Sequence, residues 1–145
     1  MNKLWGGILV LACAGAAYGE FSSQDTIRFT TPFAFHLGDK LLPAGEYTIR
    51  WQQDFHVLVL KSPAESAMSF ALNGVSASGG VSARENASIV FNKYGESSYF
   101  LSHVWPGDGA LGLQTVKSKK EKVVITTTLT AEAKPQTIMI LAARR

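Results

Sequence analysis

Apolar and polar positions alternate along most of the chain from residue 26 onward. Between Thr26 and Phe35, Ile27, Phe29, Thr31, Phe33 and Phe35 fall on one side, and Arg28, Thr30, Pro32 and Ala34 on the other. A period of two with aromatics on one side is the pattern of a half-buried strand. Pro32 puts this strand at a sheet edge or a bulge, because proline has no N–H to give to a ladder. Gly38-Asp39-Lys40 and Leu42-Pro43-Ala44-Gly45 read as turns. Tyr47 to Trp51 and Phe55 to Leu60 follow as strands around a turn at Gln52 to Asp54, and Ser62 to Glu65 interrupts before a strand at Ala67 to Leu72.

Asn73 to Asn86 is rich in Gly, Ser and Ala and has no sustained period, so it reads as a long loop. Ser88 to Phe91 and Ser98 to Trp105 flank Asn92 to Glu96 as a hairpin, with Gly95 in its turn. Pro106 to Gly109 breaks the chain, and Leu111 to Val116 forms a short strand. Lys117 to Lys122 reads as a charged turn. Val123 to Leu129 is almost entirely β-branched and reads as a strand. A turn at Ala131 to Pro135 leads to a last strand at Thr137 to Ala142.

About eight or nine short strands, with no helix beyond residue 19, predict an all-β fold: a single antiparallel β-sandwich or small barrel. An outer-membrane barrel needs strands of about 9–11 residues with an unbroken lipid-facing band. Most of these strands are shorter, and the chain ends in Arg144-Arg145 instead of an aromatic.

The first nineteen residues have a different character. Met1-Asn2-Lys3 is a basic start, Leu4 to Ala12 is apolar, and Ala17-Tyr18-Gly19 offers a small-x-small cleavage pattern before Glu20. This layout predicts a secretory signal at residues 1–19 and a single domain at residues 20–145 that is secreted or periplasmic. The apolar run is shorter than the roughly 20 residues a spanning helix needs. The lone cysteine, Cys13, falls inside that signal. Val10-Leu11-Ala12-Cys13 has an alternative reading as a lipobox that makes the protein a lipoprotein, but Leu11 fits it poorly. Either way the domain carries no disulfide framework and no thiol nucleophile.

The formal net charge of +3 is small, and much of it sits in Lys117 to Lys122 and Arg144-Arg145. So weak a balance gives little footing for a polyanion, and no nucleic-acid partner is expected. His36, His56 and His103 have no metal-ligand spacing with each other or with acids, so no metal and no cofactor are expected. The chain has no Gly-x-Ser-x-Gly elbow and no phosphate loop. Asp39, Asp54 and Asp108 sit in turns, where a short carboxylate bonds its own backbone.

Aromatics carry the remaining binding chemistry. Trp51 and Trp105 end strands beside turns, and Tyr94 lies at a hairpin tip. Exposed there, each ring could stack on the apolar face of a sugar. The competing role is to cap a small core, since these rings carry large apolar area. Phe29, Phe33, Phe35, Phe55, Phe70 and Phe91 are assigned to the core.

Two motifs support a resemblance: Phe35-x-x-Gly38-x-x-x-Leu42-Pro43-Ala44-Gly45-x-Tyr47-x-Ile49, and Phe91-x-Lys93-Tyr94-Gly95-x-x-x-Tyr99-Phe100-Leu101-x-x-Val104-Trp105. With the stretch Ser118 to Glu121, they resemble a family of short exported all-β proteins common in soil Acidobacteria. The resemblance runs from Ile27 to Lys122 and implies export and a β fold but no activity. Leu42 to Tyr47 alone also resembles the prealbumin-like sandwich modules of carrier and surface proteins.

These readings predict an exported, non-enzymatic β protein of the bacterial envelope. Its candidate contacts are Trp51, Tyr94, Trp105 and the Asn73–Asn86 loop, and its candidate partner is an envelope polysaccharide or protein. Two alternatives remain. One is a structural subunit that self-associates through edge strands at Val123 to Leu129 and Thr137 to Ala142. The other is a small polysaccharide hydrolase built on two acidic residues brought together by folding.

Overall fold

The computed structural model describes residues 26–75, 86–107, 111–130 and 136–144. The expected signal with Cys13, the centre of the Gly/Ser loop and the turn at Ala131 to Pro135 lie outside these residues. The strands are β1 (Thr26–Thr31), β2 (Phe35–Leu37), β3 (Lys40–Leu42), β4 (Gly45–Gln52), β5 (Val57–Lys61), β6 (Ser66–Val75), β7 (Ser88–Tyr94), β8 (Ser98–Trp105), β9 (Gly112–Thr115), β10 (Gln136–Leu141) and β11 (Ala143–Arg144). A helix, α1 (Lys119–Thr130), separates β9 from β10.

The strand order is β10-β7-β8-β9-β6-β5-β4-β1-β11, and the sheet is not closed. Each of these pairings is antiparallel. β2 lies parallel to the first half of β8 through His36 and Phe100, and forms a hairpin with β3. The two ends of the order are consecutive pieces of chain: β10 pairs with β7, and β11 pairs with β1. The result is the expected all-β, sandwich-like fold.

Local chemistry explains the breaks. The strand predicted over Thr26 to Phe35 is divided at Pro32. There the Thr31 hydroxyl accepts the Phe33 N–H at 3.3 Å and turns the chain into β2. Gly38 and Gly95 take φ of +61° and +65° in the two hairpin turns, the left-handed region where a Cβ is costly.

The core lies between the inward faces of β1, β4, β5 and β7, with Ile27, Ile49, Leu58, Leu60, Ile89 and Phe91 fully buried. Phe29, Phe35, Tyr47 and Phe91 form its aromatic centre, with ring centroids 5.2–6.2 Å apart. Phe33 sits at the margin, half-buried and stacked on Tyr99 at 3.8 Å. β8 departs from simple alternation. Its register against β7 shifts between Val90 and Phe91, leaving Ser102 as the extra residue of a bulge. The bulge reverses the phase of the strand, so Leu101 and Val104 both reach the core.

Two phenylalanines assigned to the core from sequence are exposed instead. Phe55 falls in a short 3-10 turn, Gln53–Phe55, rather than in β5. Phe70 lies on the outward phase of β6, set by its pairing with β5.

Val123 to Leu129, read as a strand, is helical, and the charged turn Lys117 to Lys122 holds the start of that helix. Its N-terminus is capped from two directions. The Ser118 hydroxyl accepts the Glu121 N–H at 3.1 Å, and the Asp39 carboxylate accepts the Lys120 N–H at 3.2 Å. The Glu121 carboxylate is buried and accepts the Tyr94 hydroxyl proton at 2.9 Å, which ties the first turn to β7. Ser118-x-x-Glu121 is therefore a helix start signature, and it outweighs the strand preference of the residues behind it. Further along, the Thr127 hydroxyl donates to the Val123 carbonyl at 3.1 Å and stays satisfied inside the helix.

Ser118→Ala is expected to cost about 1 kcal/mol. Amide exchange should quicken across 122–130 while β4 and β7 keep their protection. Unchanged exchange in α1 would show that the cap does not hold the helix.

Candidate functional site

The three aromatics proposed as contacts are all buried: Trp51, Tyr94 and Trp105 are 1%, 4% and 6% exposed. None presents an open ring face on which a sugar could stack, so that role is corrected to packing. Tyr94 lies edge-on to Phe100 and is bonded to Glu121. Trp105 lies parallel to His103, with centroids 5.5 Å apart, and covers Gly112. Trp51 closes one end of the core, and its indole N–H is buried without a partner. Of the Asn73–Asn86 loop, the first three residues belong to β6 and Asn86 is exposed; the rest lies outside the described residues.

Burial also sets the titration of this region. It pushes the Tyr94 hydroxyl far above the usual tyrosine range, and the bond to Glu121 and that residue's charge add to the shift. Burial similarly raises Tyr47, with help from Glu65. It lowers His103, aided by the charge of Lys117, and lowers His36 against the opposing effect of a bond to the Tyr99 carbonyl. A raised tyrosine stays neutral in the fold while the unfolded chain ionises near pH 10, so stability is lost as pH rises past about 10. A lowered histidine stays neutral in the fold while the unfolded chain takes up a proton, so stability is lost as pH falls below about 6.5. The urea midpoint should therefore be flat between these limits, and Tyr94→Phe should flatten the alkaline limb. A midpoint that does not move across the alkaline limit would contradict the Tyr94 environment.

The outer face of the β4–β5–β6 region is more informative than the predicted aromatics. β6 is turned inside out. Its small residues Ala67 and Ala71 point into the core, while Met68, Phe70 and Leu72 are 67%, 67% and 58% exposed. A strand ordinarily buries its larger apolar side chains. Here the register Val59↔Met68 and Val57↔Phe70 fixes the opposite phase, since a one-residue slip would exchange the faces. At about 3.4 Å per residue, the three side chains make a line about 14 Å long.

Grooves border this line. One, of about 490 Å³, runs between Phe70, Leu72 and Val116 and has Trp51, Gln53 and His56 at its end. His56 holds φ of +52°, an uncommon value for a residue with a side chain, and its ring lies 6.2 Å from that of Trp51. A second groove, of about 390 Å³, is walled by exposed Phe55 and by Arg50, Asp54, Val59 and Lys61. A third, of about 290 Å³, lies across the same Arg50, Val59 and Lys61 from Thr26 and Thr48. Arg50 stands opposite Val59 on the outer face, and Lys61 follows two residues later. Among the described residues the ion pair is Arg28–Glu46 at 3.3 Å, and neither Arg50 nor Lys61 is paired with an acid.

Among the described residues there is no cluster of three or more His, Cys, Asp or Glu that could hold a metal, and no helix long and apolar enough to cross a membrane. No family model, no curated protein and no solved structure matches the chain.

The exposed line was partly visible in the sequence. Ala67-Met68-Ser69-Phe70-Ala71-Leu72 alternates small with large. That pattern identifies two faces but does not say which one meets the core. Pairing with β5 decides it.

Proposed function

We propose that this chain is an exported, non-enzymatic binding protein of the bacterial envelope, and that its contact surface is the outer face of β6 with the adjoining grooves. The inverted phase of β6 carries this reading. Three large apolar side chains in water cost solubility and leave the core without their packing, and such patches mark interaction sites. The acidic residues support a binding role over hydrolysis. Among the described residues that line the three grooves the one acid is Asp54, in the groove it shares with Arg50 and Lys61, whereas glycoside cleavage needs two facing carboxyl groups.

The test uses envelope extract separated into lipid, polysaccharide and protein fractions. The wild-type chain should be retained by one fraction, and Phe70→Ser with Leu72→Ser should lose that retention while melting at a similar temperature. Equal retention of both proteins would remove β6 from the contact surface.

A second reading has its own observation. β10 pairs with β7 and ends the strand order, and its outward side chains Met139 and Leu141 are exposed. An apolar edge strand is a template for a second copy of the chain. In that case association depends on β10 and is indifferent to Phe70.

A further inference from the structure

The outer face is divided by chemistry as well as by shape. On β4 and the end of β5 it carries two cations, Arg50 and Lys61, that have no ion pair among the described residues and that flank the buried Val59. One strand further on, it carries Met68, Phe70 and Leu72. Beyond them the groove continues past Val116, whose N–H bonds to the Phe70 carbonyl at 2.9 Å. Neighbouring strands lie about 4.8 Å apart, so the crossing from β4 to β9 is about 14 Å. The surface thus has a cationic end and an apolar end in one continuous layer, with grooves at both. Of the acids nearby, Glu46 is paired with Arg28, and Asp54 lines the same groove as Arg50 and Lys61 without an ion pair to either.

We infer that this face binds an amphiphile with an anionic head and a single acyl chain, the head between Arg50 and Lys61 and the chain laid along Met68 toward Phe70 and Leu72. The inference rests on the β6 contact surface proposed above and adds the chemistry of its ligand. Charge complementarity selects the head. A cationic head meets like charge at Arg50 and Lys61, and a neutral sugar head leaves both cations unanswered. The apolar line selects the chain, since an extended alkyl group can cover Met68, Phe70 and Leu72 together and remove them from water. The grooves beside Arg50 and Val59 favour a single molecule over a flat bilayer surface, which would touch the ridges and leave the grooves empty.

Calorimetric titration with three probes of equal chain length tests this: dodecanoate, dodecyltrimethylammonium and dodecyl maltoside, each below its micellar concentration. The wild-type chain should bind dodecanoate most tightly. Arg50→Ala with Lys61→Ala should weaken dodecanoate roughly three- to tenfold and leave dodecyl maltoside unchanged. Phe70→Ser should weaken all three. Arg50→Glu with Lys61→Glu should exchange the preference in favour of dodecyltrimethylammonium, an outcome that a loss of folding cannot imitate. Equal binding of the three probes would overturn head recognition and leave the β6 surface standing. No binding of any probe would overturn the inference as a whole, while the extract experiment decides the β6 surface independently. Binding of dodecanoate only when presented in vesicles, with none as monomer, would also overturn it, because the grooves would then have no part in it.

Discussion

Phe91→Ala is expected to destabilise the protein by about 3–5 kcal/mol, the largest loss of any single truncation considered. Phe91 is fully buried at the centre of β7 and touches aromatics from three directions. Its ring lies 5.1 Å from Phe33, nearly perpendicular, 5.2 Å from Phe35 and 6.2 Å from Phe29. Phe29 belongs to β1, near the far end of the strand order from β7, Phe35 belongs to β2, which pairs with β8, and Phe33 lies in the bend between them. The ring therefore packs β7 against β1, β2 and the bend between them, and β7 has no ladder with β1 or β2. Alanine leaves a cavity that stiff neighbours on paired strands cannot fill. The urea midpoint should fall with little change in slope, and the exposed side chains on β6 should be unaffected. A loss under about 1 kcal/mol would mean that β1 and β7 are not held together at this ring.

Gly112→Ala is expected to cost about 1–3 kcal/mol by overpacking. The position does not require glycine for its dihedral angles; it requires it for space. A Cβ there would press against the ring of Trp105 and lie 2.7 Å from the Val104 carbonyl oxygen. The carbonyl belongs to β8, which pairs with β9 through Val104 and Leu113, so it cannot retreat without loosening that ladder. Trp105 would have to swing away and lose its parallel contact with His103. The expected signature is a red-shifted tryptophan emission together with a lowered midpoint. Pairing Gly112→Ala with Trp105→Leu should recover part of the loss, and no recovery would place the conflict in the backbone alone.

Much of the fold was legible because its signals are local. Gly38, Pro43 and Gly95 mark their turns by residue type, and alternation from Ile27 to Phe35 and from Tyr47 to Trp51 sets the inward faces. The helix is not legible in the β-branched run from Val123 when that run is separated from its start. Ser118-x-x-Glu121 was present, but Asp39 and Tyr94, which complete the anchoring, come from hairpins far away in the chain. The proposed β6 surface is hidden from the sequence for a different reason. Nearness to a turn does not distinguish an exposed aromatic from one that packs on the core. Trp51, Tyr94 and Trp105 are large enough to be drawn into the core margin, while Phe70, in the middle of a strand, is left outside by the phase of β6. Arg50 and Lys61 become neighbours through strand pairing across the turn at Gln53–Phe55, and no spacing in the sequence announces that.

We propose that the outer face of β6, and not the β10 edge, meets the partner. The structure supplies an internal comparison, because Met68 lies on β6 and Met139 on β10, 67% and 45% exposed. Both side chains are open to mild peroxide, which converts each to its sulfoxide at a rate set by exposure. The measurement is the oxidation rate of each methionine, read by peptide mass, with and without the retained envelope fraction. Slower oxidation of Met68 with Met139 unchanged is the predicted result. Protection of Met139 with Met68 still open would contradict it and assign the contact to the edge of the sheet.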